Sequence, residues 1–302
     1  MGDWLQLLLR LLHYAFLLGL FGLTAFATLA LRQIAGAQVD VAHSRFLSAS
    51  AMIAPVIAAA LMLVSIAAMM GQPVWLLEWA TIKAMLLTTS MGHAVITQIV
   101  LLIVAAGALW ALPSPTAMRF AAPFYALALF TLAWSGHAAA TEALWGLFHK
   151  LSDGLHLVAA GLWIGAIGWF VRMAFITHRT PEQIAPEELL TAMHRFAPLG
   201  VSLVAIVAIT GLINVQMIFG LFNSGAVLET RYGWLLAIKL VFVGVMLLCA
   251  ARNAMLARRR LCTGESASAT LARVRLSLAA ELLSAFAILG LVAVLGMASP
   301  MD

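Results

Sequence analysis

Charge is what this chain has least of. Only 10% of its 302 residues are Asp, Glu, Lys or Arg and 64% are apolar, where a soluble domain carries roughly 25% charge. With a mean hydropathy of +1.04, this composition excludes an ordinary soluble domain and leaves a polytopic membrane protein. Carboxylates are the scarcer sign, 12 against 17 basic residues, which argues against an oxygen cage for Ca²⁺ or Mg²⁺. Cysteine is nearly absent: Cys249 and Cys262 form no CxxC site and read as structural. No Walker loop, dinucleotide fingerprint, Ser-His-Asp order or HExxH motif occurs, so hydrolytic and nucleotide-driven chemistry lack support. The net charge of +5 does not point to nucleic acid, because the basic residues are scattered over loops. Asp3 stands where a signal peptide would be basic, and the first apolar run reaches Leu31, so the start of the chain reads as a span and not a cleavable leader.

What is present is a series of long apolar runs. Hydropathy and chain breakers predict an all-α protein with about eight spans, near 5–31, 47–70, 84–111, 119–138, 153–174, 196–221, 232–256 and 274–298, each close to the ~20 residues a bilayer needs. Pro73, Pro113, Pro115, Pro181, Pro186 and Pro300 punctuate the gaps. The longest gap, Phe175 to Arg195, is polar and predicts a short surface helix. Twelve of the seventeen basic residues fall on loops 1–2, 3–4, 5–6 and 7–8 or the adjoining helix ends. The positive-inside rule then places both termini outside, in the periplasm of a Gram-negative cell.

Eight histidines are unevenly spread. His43, His178 and His194 fall on the cytoplasmic side and read as solvated loop residues. The other five lie on the outer side. His13 and His93 sit roughly 13–15 Å deep at ~1.5 Å per residue. His137 ends the fourth span, and His156 is about one turn into the fifth, with Asp153 as the expected cap of that helix. His149 is assigned to the short external segment with Glu142 and Lys150. Imidazole is costly in lipid and is the commonest metal ligand among side chains. Methionines add soft donors on the same side, at Met69, Met70, Met85, Met91, Met217, Met297 and Met301; thioether with imidazole suits copper, and thioether favours Cu(I). Lys83 and Lys239 either snorkel outward or neutralise an anionic group such as a haem propionate. Glu281 is expected to pair with Arg275 or Arg252. Asn214, after Thr210-Gly211, is either an interhelical hydrogen bond or part of a polar line below the outer site.

An internal repeat runs through these features. LLRLLHYAFLLGLFGLTAF resembles LSDGLHLVAAGLWIGAIGWF, so that His13 and Gly22 parallel His156 and Gly165 as two H-x8-G motifs. Arg45-Phe46 echoes Arg195-Phe196, Trp79 with Lys83 echoes Trp234 with Lys239, and the end at His137 echoes the end at Met297. The expectation is two parallel four-helix units, 1–140 and 141–302, with equivalent residues at the same depth.

The segments WSGHAAA, HKLSDGLHLVAAGLWIG, RFAPLGVSLVAIVAITGLINV and RYGWLLAIKLVFVGVMLLCAARN resemble the CopD family of copper resistance and homeostasis membrane proteins. That resemblance implies an inner-membrane protein handling periplasmic copper without ATP, beside a separate CopC-type periplasmic copper-binding partner. It makes His137, His149 and His156, with Met297 added by the repeat, the expected copper ligands. A weaker likeness to HemJ-type haem-handling proteins rests on the H-x8-G span, the run from Trp163 to Arg172, and Lys83 followed by His93. It implies an alternative in which His13 and His93 ligate a b-type haem, with Lys83 and Lys239 as neighbours, in a membrane oxidoreductase such as a cupric reductase.

Overall fold

The computed structural model describes residues 2–30, 45–135, 143–182, 184–263 and 266–298. His43, His137, Glu142 and Met301 lie outside them. The described chain contains no strand, and it carries eight helices long and apolar enough to cross a membrane. The protein is therefore an all-α polytopic membrane protein. In lipid every backbone amide must be satisfied within its own segment, which leaves these apolar runs no alternative to helix.

In chain order the helices are α1 (Gly2–Ala30), α2 (Arg45–Met69), α3 (Trp79–Thr88), α4 (Ser90–Ala111), α5 (Ser114–Phe130), α6 (Ala143–Arg179), α7 (Pro186–Ile218), α8 (Ser224–Val227), α9 (Arg231–Thr263) and α10 (Ala267–Leu295). All but α3 and α8 are long enough to span. The start of α1 and the end of α10 share one face of the bundle, where Arg10 donates to the Gly296 carbonyl at 2.7 Å.

Three boundaries differ from the sequence reading. The third span does not begin at residue 84. The helix breaks at Thr89 (φ −105°, ψ 148°), whose hydroxyl caps α4 by accepting from the Gly92 amide at 2.9 Å. A Cβ on Gly92 would collide with the Met85 and Leu86 carbonyls, so only glycine passes this corner. Lys83 is left exposed on α3, outside the third span.

The fifth span begins well before residue 153. α6 is 37 residues long, about 55 Å at 1.5 Å per residue and well beyond the ~30 Å hydrocarbon core. His149, Lys150 and Asp153 are therefore inside the helix, not in an external segment, and Asp153 does not cap it. The polar gap between spans five and six holds no separate surface helix. α6 and α7 extend through it because Ile184, Leu189, Leu190 and Met193 bury against the bundle. Pro186 then starts α7, with Glu187 and Glu188 in its first turn, where a helix dipole favours acidic groups.

α1 is the hub of the core, packed against α2, α5, α6 and α10. Its crossing with α6 is made by glycine on both helices: a Cβ on Gly22 would meet the Gly165 Cα at 2.8 Å. The Trp169 indole N–H donates to the Leu23 carbonyl at 3.0 Å, locking the same seam. Below it Phe26, Phe170 and Phe196 meet edge to face, with centroids 5.2–5.5 Å apart. α7 and α9 present largely exposed apolar faces such as Val201, Leu212, Val241 and Leu248, as lipid-facing helices should.

Candidate functional site

The glycine crossing sets the histidines. His13 and His156 each precede their glycine by nine residues, two and a half helical turns, so each points away from the α1–α6 seam. Gly22 and Gly165 touch, and both histidines lie toward the start of their helices. The seam thus has a polar site on each side.

On the α6 side, His149, Ser152, Asp153 and His156 occupy positions i, i+3, i+4 and i+7 of one face. His149 and Ser152 are buried. This face meets Thr210 and Asn214, one turn apart on α7. The Ser152 hydroxyl donates to Asn214 Oδ1 at 3.2 Å, and Asn214 Nδ2 donates to Asp153 at 3.0 Å. Thr210 Oγ1 donates to the Ile206 carbonyl at 2.6 Å and lies 3.0 Å from His156 Nδ1. A hydroxyl has a single proton, and that proton is committed to Ile206. Thr210 thus fixes one nitrogen of the His156 ring, and the Val207 backbone lies beside the same ring. A hydrogen bond to the far nitrogen is how proteins orient a ligating imidazole. Lys239 on α9 comes within electrostatic reach of both Asp153 and His156, so it belongs to this cluster and not to a site beside His13.

On the α1 side, His13 faces a cavity of about 50 Å³ between α1, α2, α4 and the turn after α5, bordered also by Tyr14, Met62, Met91, Gln98 and Thr131. Gln98 is anchored by its amide N–H groups, which donate to the Ala128 carbonyl at 2.9 Å and to Thr131 at 3.0 Å. His13 is 4% exposed.

The structure does not bring His93 to His13. On α4 the cavity is lined by Met91, Ala94, Val95 and Gln98, a single helical stripe, and His93 stands about 200° round the helix from Met91. It is exposed, with Nε2 2.9 Å from the Leu87 carbonyl. Lys83 does not line the cavity. These residues do not fit a bis-histidine haem, whose two axial ligands must face one another across a space for the ring.

Among the described residues no group of three or more His, Cys, Asp or Glu can hold a metal. Of the expected copper ligands, His149 and His156 share a face of α6. Met297 sits past the end of α10, next to the Gly296 carbonyl that Arg10 on α1 holds, and is 40% exposed. His137 lies outside the described residues. Glu281 pairs with neither arginine. It accepts from Asn253 Nδ2 at 2.5 Å, buried between α9 and α10.

Residues missed from the sequence are Met62, Ser65 and Gln98, all bordering the cavity, and Ser152. Gln98 carried a usable signal, as a large polar side chain in mid-span.

The comparisons with known proteins agree in direction. The family model for the copper resistance protein D-like N-terminal domain matches residues 1–147, and that for copper resistance protein D matches residues 190–295. The chain is 32% identical to copper resistance protein D of Pseudomonas syringae pv. tomato, over 99% of this chain and 98% of that one. It is 30% identical to the copper transport protein CutJ of Bacillus subtilis over 138 residues, 46% of this chain and 24% of that longer one. No solved structure matches. With similarity spanning both halves and all eight membrane helices, the chain belongs to the copper resistance protein D family.

Proposed function

We propose that this protein takes up copper at the face of the membrane carrying the start of α1 and passes it inward, or delivers it there, without nucleotide hydrolysis. In this reading the membrane is the bacterial inner membrane and that face is periplasmic, as the distribution of basic residues argues. His156 is a ligand, with His149, His137 and Met297 as companions along the route, and a separate CopC-type protein supplies the ion from the periplasm. The carrying observation is the contact that holds the His156 ring against Thr210. Thr210 orients the ring, within a family of copper resistance proteins. The two halves, 1–140 and 141–302, act as duplicated four-helix units, and the touching of Gly22 and Gly165 supports that pairing.

The test is copper accumulation and copper tolerance in cells lacking the gene, complemented with the native chain or with His137→Ala plus His156→Ala. The native chain should change both readouts, and the double variant should return them to the level of the deletion. Equal phenotypes in all three strains overturn the proposal.

A further inference from the structure

The geometry points to a Cu(I) site in the α1 cavity, formed by the Nδ1 of His13 with the thioethers of Met62 and Met91. This deepens the copper reading and rests on it.

His13 Nδ1 is fully buried and has no hydrogen-bond partner among the described residues. Gln98 borders the same cavity beside the ring. Its two N–H groups are taken by Ala128 and Thr131, so only its carbonyl oxygen is left for the ring. A fully buried ring nitrogen without a partner, on a side chain that borders a cavity, is the kind of group a metal satisfies. An unsatisfied buried nitrogen is destabilising, and a bound ion removes that cost.

The cavity's composition selects the ion. Met62, 3% exposed, and Met91 border the same space, and their sulfurs with one imidazole are neutral, soft donors. Among the described residues no carboxylate lines the cavity, and its only charge is Arg10, whose Nη1 is engaged by the Gly296 carbonyl at 2.7 Å. A divalent ion would feel twice the repulsion of a monovalent one, with nothing to compensate it. The volume of about 50 Å³ admits a single dehydrated ion or a few waters, since one water needs only ~10–15 Å³ by this measure. Gln98, anchored to Ala128 and Thr131 on the cavity wall beside the ring, acts as a positioning residue.

The test is titration of the purified full-length protein with Cu(I) under anaerobic conditions against a chromogenic Cu(I) chelator, and with Ag⁺ as a redox-inert probe. X-ray absorption reads sulfur in the coordination sphere. Met62→Leu with Met91→Leu conserves volume and should leave the thermal unfolding profile intact. It should also remove sulfur scattering and weaken one Cu(I) equivalent by at least ~100-fold, the upper end of what disturbing a ligand's support alone does. Gln98→Leu should weaken the same equivalent by ~10–100-fold, and Gln98→Glu should recover part of it. If the native protein binds copper but the double methionine variant binds the same equivalents with the same affinity, the cavity site is wrong and the copper reading stands. If the native protein binds neither Cu(I) nor Cu(II), both are wrong.

Discussion

Replacing Gly22 by alanine tests whether the α1–α6 seam is the frame that positions both polar sites. The added methyl would collide with the Gly161 carbonyl oxygen and stand 2.8 Å from the Gly165 Cα and 2.9 Å from the Gly165 amide nitrogen. All three are backbone atoms and cannot rotate away. Ordinary contact begins near 3.4 Å, so the two helices must part by about 0.5–1 Å along the seam, and a gap of that size forfeits a quarter to a half of each neighbouring dispersion contact. Overpacking of this kind costs ~1–3 kcal/mol. Alanine also gains ~0.5–1 kcal/mol over glycine in a helix interior, and a control can cancel that gain. A methyl placed on Gly107 of α4 would have nothing within 4 Å of it, so Gly107→Ala receives the propensity gain without the clash. The difference between the two variants isolates the seam at ~1–3 kcal/mol. Thermal unfolding of both purified proteins in the same detergent, followed by circular dichroism, should place Gly22→Ala clearly below Gly107→Ala. Coincident midpoints would refute the close-crossing argument and the placement of His13 and His156 that depends on it.

Further outcomes follow from individual contacts. Thr210→Val removes the hydroxyl that holds His156 Nδ1 and should weaken copper binding at that ring by ~10–100-fold, measured by competition titration, while Thr210→Ser should preserve it. Asn253→Leu leaves the Glu281 carboxyl buried without its partner and should lower stability by ~1–3 kcal/mol in thermal unfolding; Asn253→Leu with Glu281→Leu should recover much of that loss. Trp169→Phe deletes the bond to the Leu23 carbonyl and should cost ~0.5–1.5 kcal/mol in the same assay. Thr89→Ala removes the α4 cap at ~1 kcal/mol, whereas Lys83→Ala, on an exposed position of the adjoining helix, should stay within about 0.5 kcal/mol of the native protein.

Much of the architecture is legible in the chain because the bilayer leaves few choices. A run of ~20 apolar residues with no water to satisfy its backbone must be helical, so the number and order of the spans follow from hydropathy alone. Boundaries are less legible where a helix continues beyond the apolar stretch. Residues 143–152 are mostly apolar but carry His149, Lys150 and Ser152; α6 runs straight through them, and a span begun only at residue 153 therefore puts His149 outside a helix in which it is buried. The corner at Thr89 is hidden for the opposite reason, since apolar residues lie on both sides of it.

Sequence by itself determined that this is a membrane protein rich in methionine and poor in carboxylates, with two H-x8-G motifs. It also carried the family resemblance, because short motifs survive as strings of letters. Which histidine faces which neighbour was decided only by the tertiary structure. Rotation of a helix about its axis is set by packing, and most faces of an apolar helix look alike in sequence. The contact of Gly22 with Gly165 turns His13 and His156 to opposite sides of one seam. Two residues' difference along α4 turns His93 away from the cavity that Met91 and Gln98 line, and so keeps it from facing His13.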